Sequence, residues 1–110
     1  MPVDTRPMLV FFRSDRSGPA RRMESLLSHL ERKERSRLRV VRVDVDTQAD
    51  LTSKFKVETV PTLVLVKEKR AIARLEGRAS APKIEAMIEP HLAPLEDEAG
   101  GLGAAAPALA

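Results

Sequence analysis

The sequence contains no cysteine, no tryptophan and no tyrosine, and its three aromatic residues are all phenylalanine. The absence of cysteine excludes disulfide bonds, thiolate nucleophiles and thiolate-bound metal ions. No apolar run is long enough to span a membrane, and the first residues form no apolar signal core. We therefore expect a cytoplasmic protein without membrane contact, whose core is built from aliphatic side chains.

Sequence motifs for catalysis and cofactor binding are also missing. The chain has no phosphate-binding loop, no dinucleotide-binding fingerprint, no zinc-ligand spacing and no Gly-Xaa-Ser-Xaa-Gly nucleophile signature. His29 stands alone on a predicted helix, and no second ligand is placed to complete a metal site with it. We therefore predict no metal, no cofactor and no catalytic residue, and we expect that the protein is not an enzyme.

Charge is divided unevenly along the chain. All 19 lysines and arginines lie at or before Lys83. Residues 1–95 contain 13 acidic residues as well, so their net charge is +6. The last fifteen residues carry −3 and are otherwise mostly alanine, glycine and proline. We predict one domain over residues 1–95 and a disordered acidic, Ala/Gly-rich tail over residues 96–110. A basic domain suits acidic partners or nucleic acid, although a solvated arginine-rich surface has the same composition.

The clearest local pattern is a strand that runs through a tight turn into a helix. The apolar run Met8–Phe12 is typical of a buried strand. After it, apolar residues recur at the three- and four-residue intervals of one helix face, at Met23, Leu26, Leu27 and Leu30. In the turn between them, Gly18 frees the backbone, and Pro19 fits the first helical turn, where its missing N–H is not needed. We predict a helix over residues 19–35, with unpaired N–H groups at its start.

Residues 38–46 predict a second strand. Val41, Val43 and Val45 alternate with Arg42, Asp44 and Asp46, which places the two sets on opposite faces. Asp44 and Asp46 could hold a metal ion, but the favoured interpretation is a turn in which Asp46-Thr47 caps a short helix over residues 49–55.

The remaining elements are a hairpin and a last helix. Residues 63–66 form an apolar strand, residues 67–70 a charged turn, and residues 71–76 the returning strand. Ser80 is expected to cap a helix that ends near Glu89, because Pro90 follows. This helix packs on the sheet either opposite the first helix or beside it.

Several of these segments together resemble the thioredoxin superfamily. Gly18-Pro19 matches the structural half of the family's Trp-Cys-Gly-Pro-Cys-Lys motif, and Val60-Pro61-Thr62 resembles its cis-proline loop. The resemblance runs without a gap from about residue 9 to residue 92, and it includes residues 43–46 and 55–57. It implies an α/β, minimal thioredoxin-like fold, in which helices flank a four-stranded mixed sheet of order second, first, third, fourth. It also implies a cis Val60–Pro61 bond.

The redox half of the family motif is replaced. Arg16, Ser17 and Ala20 stand where the family has tryptophan and two cysteines, and Phe11 stands where it has a buried acid. Because thiol–disulfide exchange requires a thiolate, we do not expect the family's usual activity. There is also no room for the strand and helix that precede the active-site strand in many thioredoxins, so one sheet edge is expected to be uncovered or used for pairing.

The first functional hypothesis is a redox-inactive protein-binding module. The resemblance implies that an extended client segment pairs with the backbone between the turn and the cis-proline loop, at Arg16, Ser17, Gly18, Pro19, Ala20, Val60, Pro61 and Thr62. An acidic segment suits the charge of the domain, and the chain's own Glu96-Asp97-Glu98 is one candidate. The alternative is that these turns are retained only because the fold needs them. The oligomeric state is left open.

The second hypothesis is an anion or nucleic-acid contact. Arg13, Arg16, Arg21 and Arg22 surround a helix N-terminus, whose N–H groups favour anions. Phosphate or an acidic peptide suits such a site. Nucleic acid is disfavoured, because the chain has no tyrosine or tryptophan on which bases could stack.

Overall fold

The computed structural model describes residues 5–93, and the predicted tail over 96–110 lies outside this range. The elements follow the order that the sequence predicts. They are β1 (Met8–Arg13), α1 (Gly18–Lys33), β2 (Arg39–Asp44), α2 (Ala49–Lys54), β3 (Thr62–Lys67), β4 (Arg70–Glu76) and α3 (Ala81–Ile88), with a 3₁₀ turn over Glu89–His91. No helix of the described residues is long and apolar enough to cross a membrane.

The four strands form one mixed sheet in the order β2-β1-β3-β4, which confirms the predicted order. β1 pairs in parallel with β2 and antiparallel with β3, and β3 pairs antiparallel with β4. α1 provides the crossover between the parallel strands. β1 is central, and Leu9–Phe12 are almost completely buried, since both faces of the strand are covered. β2 lies at an edge of the described sheet, as expected.

One face of the sheet carries the larger core, and both α1 and α3 pack on it. α3 therefore lies beside α1, which decides between the two arrangements left open above. Side chains of β1 and β3 meet the apolar stripes of both helices, in a cluster of Leu9, Phe11, Ala20, Met23, Leu27, Leu30, Leu38, Leu63, Leu65, Ile84 and Ile88. Such burial contributes about 25 cal/mol for each Å² of apolar surface removed from water.

The opposite face has a smaller core. Val10, Phe12, Val43 and Val64 are buried there, and Phe55 and Val57 pack against them beside the short helix α2. The rings of Phe12 and Phe55 lie 5.5 Å apart, tilted by 60°. Val43 faces this core, whereas Arg42 bonds to α1 on the other side of the sheet. The predicted alternation of β2 is therefore correct at these residues.

The structure corrects two predicted helix boundaries. α1 ends at Lys33 rather than Arg35, because Arg37 and Leu38 donate backbone hydrogen bonds to the carbonyl oxygen of Glu34 and turn the chain towards β2. The prediction that Asp46-Thr47 caps α2 is wrong: Gln48 is the N-cap, without a side-chain bond. The Asp46 carboxylate instead accepts a hydrogen bond from the Ser14 hydroxyl at 2.6 Å.

The ends of α3 agree with the sequence. The Ser80 hydroxyl accepts a hydrogen bond from the Lys83 N–H. The α-helix ends at Ile88, and Pro90 lies in the 3₁₀ turn that follows. In the hairpin between β3 and β4, Glu68 and Lys69 both have positive φ angles, 54° and 67°, which is the geometry that tight two-residue hairpin turns require.

Candidate binding site at the strand–helix turn

The turn after β1 is held in place by Ser14. Its carbonyl oxygen accepts a hydrogen bond from the Ser17 N–H at 3.1 Å, and its hydroxyl oxygen accepts one from the Arg16 N–H at 3.2 Å. The same hydroxyl donates to Asp46, which follows β2. The turn is therefore tied to the neighbouring strand, and its shape does not depend on a disulfide. Ser14 was not singled out by the sequence, because its partner lies 32 residues away.

Ser17 caps α1. Its hydroxyl oxygen accepts a hydrogen bond from the Ala20 N–H at 3.1 Å, and its carbonyl oxygen accepts one from the Arg21 N–H at 3.0 Å. Pro19 has no N–H, so among the first three helical residues only Gly18 keeps an N–H that the helix does not use. The expectation that several N–H groups await an anion is therefore wrong, since the serine already occupies the position that an anion would take.

Gly18 does not have the role that the sequence suggested. Among the described glycines only Gly77 has a positive φ, at 81°, so the conformation of Gly18 is open to other residues. Beyond the adjacent residues and the backbone of α1, a Cβ atom at Gly18 would meet only the tip of Arg22, at 3.9 Å. Neither a positive φ nor a contact with a more distant residue therefore requires the glycine.

Two glycine substitutions test this difference. We expect Gly18→Ala to raise the free energy of unfolding by about 0.4–1 kcal/mol, because alanine restricts the unfolded chain and fits the folded one. Gly77→Ala is expected to lower it by about 1–2 kcal/mol, because an alanine is strained at positive φ. Urea unfolding of both variants measures the two values. A loss of stability in Gly18→Ala would show that the turn does need glycine.

The loop before β3 lies at the same end of the sheet as the turn, because Thr62 pairs with Phe12 near the end of β1. The Val60–Pro61 peptide bond is cis. Pro61 and Thr62 are buried, the Thr62 hydroxyl donates to the Thr59 carbonyl at 2.6 Å, and the Gly77 N–H donates to the Pro61 carbonyl at 2.8 Å. These bonds fix the loop between β3 and the end of β4.

Val60 is the residue of this loop whose backbone is unpaired among the described residues. Its side chain is half-buried and packs against the same core cluster that contains Ala20. Within residues 5–93, its backbone N–H and C=O form no hydrogen bond. Such an unpaired backbone unit beside a strand can accept a further extended chain.

A shallow groove runs beside the turn, with a volume of about 440 Å³. One wall comes from α1 and the other from the segment between β4 and α3, with Pro19, Arg22, Met23, Leu26, Arg78, Ala79 and Ser80 lining it. A second hollow, of about 500 Å³, is lined by Gly18, Arg21 and Arg22. Residues 78–80 of this groove were not predicted from the sequence, in which Gly77, the residue after β4, is the only signal near them.

The four candidate arginines fall into two groups. The Arg13 guanidinium pairs with Asp15 and lies 3.7 Å from both Glu24 and Asp44, so its charge is already balanced. The other three, Arg16, Arg21 and Arg22, are exposed and form no ion pair with any described residue. The positive surface beside the turn therefore consists of these three, and Arg13 is part of the scaffold.

A charged network connects α1 to β2. The Arg42 guanidinium donates to Glu24, to Glu31 at 3.0 Å and to Ser28 at 3.1 Å. Burial lowers the pKa of Arg42, but the bonds to Glu24 and Glu31 outweigh this effect and raise it above its usual value. Because Glu24 also lies near Arg13, the network spans the helix face that leads to the turn.

A match to known proteins identifies the family. The family model described as Thioredoxin matches residues 3–90, and the chain therefore belongs to the thioredoxin family. It is 34% identical over 75 residues to thioredoxin-1 of Drosophila melanogaster, covering 68% of this chain and 70% of that protein. It is 30% identical over 88 residues to thioredoxin-like protein slr1139 of Synechocystis, covering 80% and 81%.

Solved structures agree. The crystal structure of thioredoxin NaTrxh from Nicotiana alata superposes with a TM-score of 0.76 at 27% identity, covering 81% of this chain and 76% of that chain. The thioredoxin-like fold expected from the sequence is thus confirmed. Unlike the family motif, this chain has Ser17 and Ala20 at the two cysteine positions and no cysteine elsewhere.

The two residues at the cysteine positions, Ser17 and Ala20, are not arranged as nucleophiles among the described residues. The one side-chain hydrogen bond of Ser17 is with the Ala20 N–H, so no base among residues 5–93 activates its hydroxyl. Ala20 is buried, with 1% exposure, and offers no reactive atom. Within the same residues, no group of three or more histidines, aspartates or glutamates is arranged to hold a metal ion. The exposed arginines of the turn and the unpaired backbone of Val60 lie at the same end of the sheet.

Proposed function

We propose that this protein is a redox-inactive, thioredoxin-like module that binds an extended acidic segment of another protein across the turn and the cis-proline loop. The lack of thiol chemistry follows from the sequence, since exchange requires a thiolate and the chain has no cysteine. The observation that carries the binding proposal is the unpaired backbone of Val60, at the same end of the sheet as the turn.

Backbone pairing supplies the first part of the interaction. An extended chain can exchange hydrogen bonds with the N–H and C=O of Val60, while side chains of alternate ligand residues enter the groove. The groove is half apolar, since Met23 and Leu26 lie beside Arg22 and Arg78. It suits a ligand that carries both an aliphatic residue and acidic ones.

Charge supplies the second part. Arg16, Arg21 and Arg22 are exposed at the turn, where Arg22 lines the groove, and each can form a charge-assisted hydrogen bond with a carboxylate. Arg21 and Arg22 also line the hollow at Gly18. The family match ends at residue 90, which supports our proposal that the binding unit lies within residues 1–95.

A phosphate-bearing ligand is the second candidate, and the same arginines favour it. Against nucleic acid, none of the three phenylalanines is available for base stacking: Phe11 and Phe12 are fully buried, and Phe55 packs against Phe12. The Ala20 N–H already donates to the Ser17 hydroxyl, so few backbone N–H groups are available to bind an anion. These observations favour a peptide.

Selection from a random peptide library displayed on phage tests the proposal. We expect acidic peptides to be enriched, and Arg16→Glu with Arg22→Glu to weaken a selected peptide by more than about tenfold, which is 1.4 kcal/mol. The matched control, Lys69→Glu with Arg70→Glu, makes the same charge change at the exposed hairpin between β3 and β4, away from the groove, and is expected to have a much smaller effect. Equal effects of the two pairs, or no enrichment, would refute the proposed site. Displacement of the selected peptide by low concentrations of inorganic phosphate would favour the phosphate-bearing ligand instead.

A further inference from the structure

A second arginine surface lies at the opposite end of the sheet. It is a hollow of about 560 Å³, lined by Arg6, Glu31, Arg32, Arg35, Leu38, Arg39 and Val40, and is here called the arginine pocket. Arg39 pairs with Met8, the first residue of β1, whereas the candidate site follows Arg13 at the other end of that strand. The two surfaces are therefore separate.

Four arginines and one carboxylate line the arginine pocket. Its one carboxylate, Glu31, already bonds to Arg42. Arg6 donates to the Arg35 carbonyl oxygen at 2.7 Å, which holds its guanidinium at the end of α1. Arg32 and Arg35 are exposed, and their side chains form no ion pair with any residue in 5–93. Clustered guanidinium groups repel one another, so a carboxylate that enters the pocket relieves this repulsion.

The described chain ends beside this pocket. Ala93 is buried, and its N–H donates to the carbonyl oxygen of Arg37 at 3.2 Å. Leu38, the next residue after Arg37, lines the pocket. The sequence continues through Pro94-Leu95 into Glu96-Asp97-Glu98, the one acidic triplet of the chain. Three to five residues of extended chain reach roughly 10–18 Å, at about 3.3–3.6 Å for each residue.

We propose that Glu96-Asp97-Glu98 binds in the arginine pocket of its own chain. The tether gives the triplet an effective concentration of order mM, so weak ion pairs are sufficient. The described chain ends nearer to the arginine pocket than to Arg16, Arg21 and Arg22. The reason is that the Ala93 N–H donates to Arg37, the residue before Leu38 of the pocket. The contact leaves the groove at the turn open, and it does not depend on the function proposed above.

A single spin label can report this contact, because the chain has no other cysteine to react. The label is placed by Ala99→Cys in the full-length chain, and broadening of backbone amide signals is measured. A tethered label also broadens nearby signals without binding. The measured quantity is therefore the difference from the same chain with Glu96→Gln, Asp97→Asn and Glu98→Gln.

We expect the acidic tail to reduce the amide intensities at Arg32, Arg35 and Arg39 to less than half of those in the neutralised chain. Salt at 1 M, where the Debye length is about 3 Å, is expected to abolish the difference. Arg32→Glu with Arg35→Glu should abolish it too, whereas Arg21→Glu with Arg22→Glu, near the other end of α1, should leave it unchanged.

Three results would overturn the proposal. The first is equal broadening by the acidic and neutralised tails. The second is a difference confined to residues 16–22, which would place the triplet at the turn. The third is a difference that survives Arg32→Glu with Arg35→Glu, because the arginine pocket would then not be its cause.

Discussion

Replacing Phe11 by aspartate, the type of residue that thioredoxins bury in this strand, is expected to unfold the domain at neutral pH. Phe11 has 0% exposure and packs in the larger core with residues of α1, β3 and α3. Truncating a buried phenylalanine costs about 3–5 kcal/mol, and a carboxylate without a partner adds a desolvation cost. Since such domains are stable by about 5–15 kcal/mol in total, little or no stability would remain.

Phe11→Leu provides the control for this substitution. It keeps an apolar side chain at the same place and is expected to cost roughly 1–2 kcal/mol with the fold retained. Urea unfolding followed by circular dichroism measures both variants. If Phe11→Asp unfolded as cooperatively as Phe11→Leu and at a similar midpoint, the site would tolerate the family's acid, and the core described here would be wrong.

The double variant Ser17→Cys with Ala20→Cys is expected to form an intramolecular disulfide. The Ser17 hydroxyl already points at the Ala20 N–H, and residues three apart lie on the same side of the first helical turn. A thiolate at position 17 would accept that N–H bond at a helix N-terminus, so its pKa is expected to be lower than that of a free cysteine. The disulfide should appear in thiol titration under mild oxidation.

This variant should still be a slow reductase. Phe11 remains where the family has its buried acid, so the assembled site lacks that group. Reduction of a disulfide substrate in the presence of dithiothreitol measures the rate, with Ser17→Cys alone as the control. Failure to oxidise would show that the turn has lost the geometry of the family, and rapid turnover would show that the acid is not needed here.

The fold could be predicted because its signals are local. The apolar run at Met8–Phe12, the helical stripe of α1 and the charged hairpin between β3 and β4 each depend on residues close in sequence. The resemblance then supplied the strand order and the cis bond at Val60–Pro61. The Ser80 cap of α3 was predicted for the same reason, because its hydrogen bond joins residues only three apart in the sequence.

The parts that escaped prediction depend on distant partners. Asp46 was expected to cap α2, but it bonds to Ser14 across 32 residues. Arg13 was grouped with the exposed arginines, yet β2 and α1 bring Asp44 and Glu24 to it. The arginine pocket is formed by Arg6, the end of α1 and the start of β2, and no sequence pattern indicates that these segments lie together.

Photo-crosslinking in the protein's own cells tests most directly whether the groove at the turn holds another protein. A photoreactive residue replaces Arg78, which is exposed at the rim of the groove, or Arg70, which is exposed at the hairpin at the other end of β4. We predict a protein crosslink through an acidic extended segment from position 78 alone, and its loss when Arg16→Glu is added. Equal crosslinking from both positions, or none from position 78, would contradict a binding function for this groove.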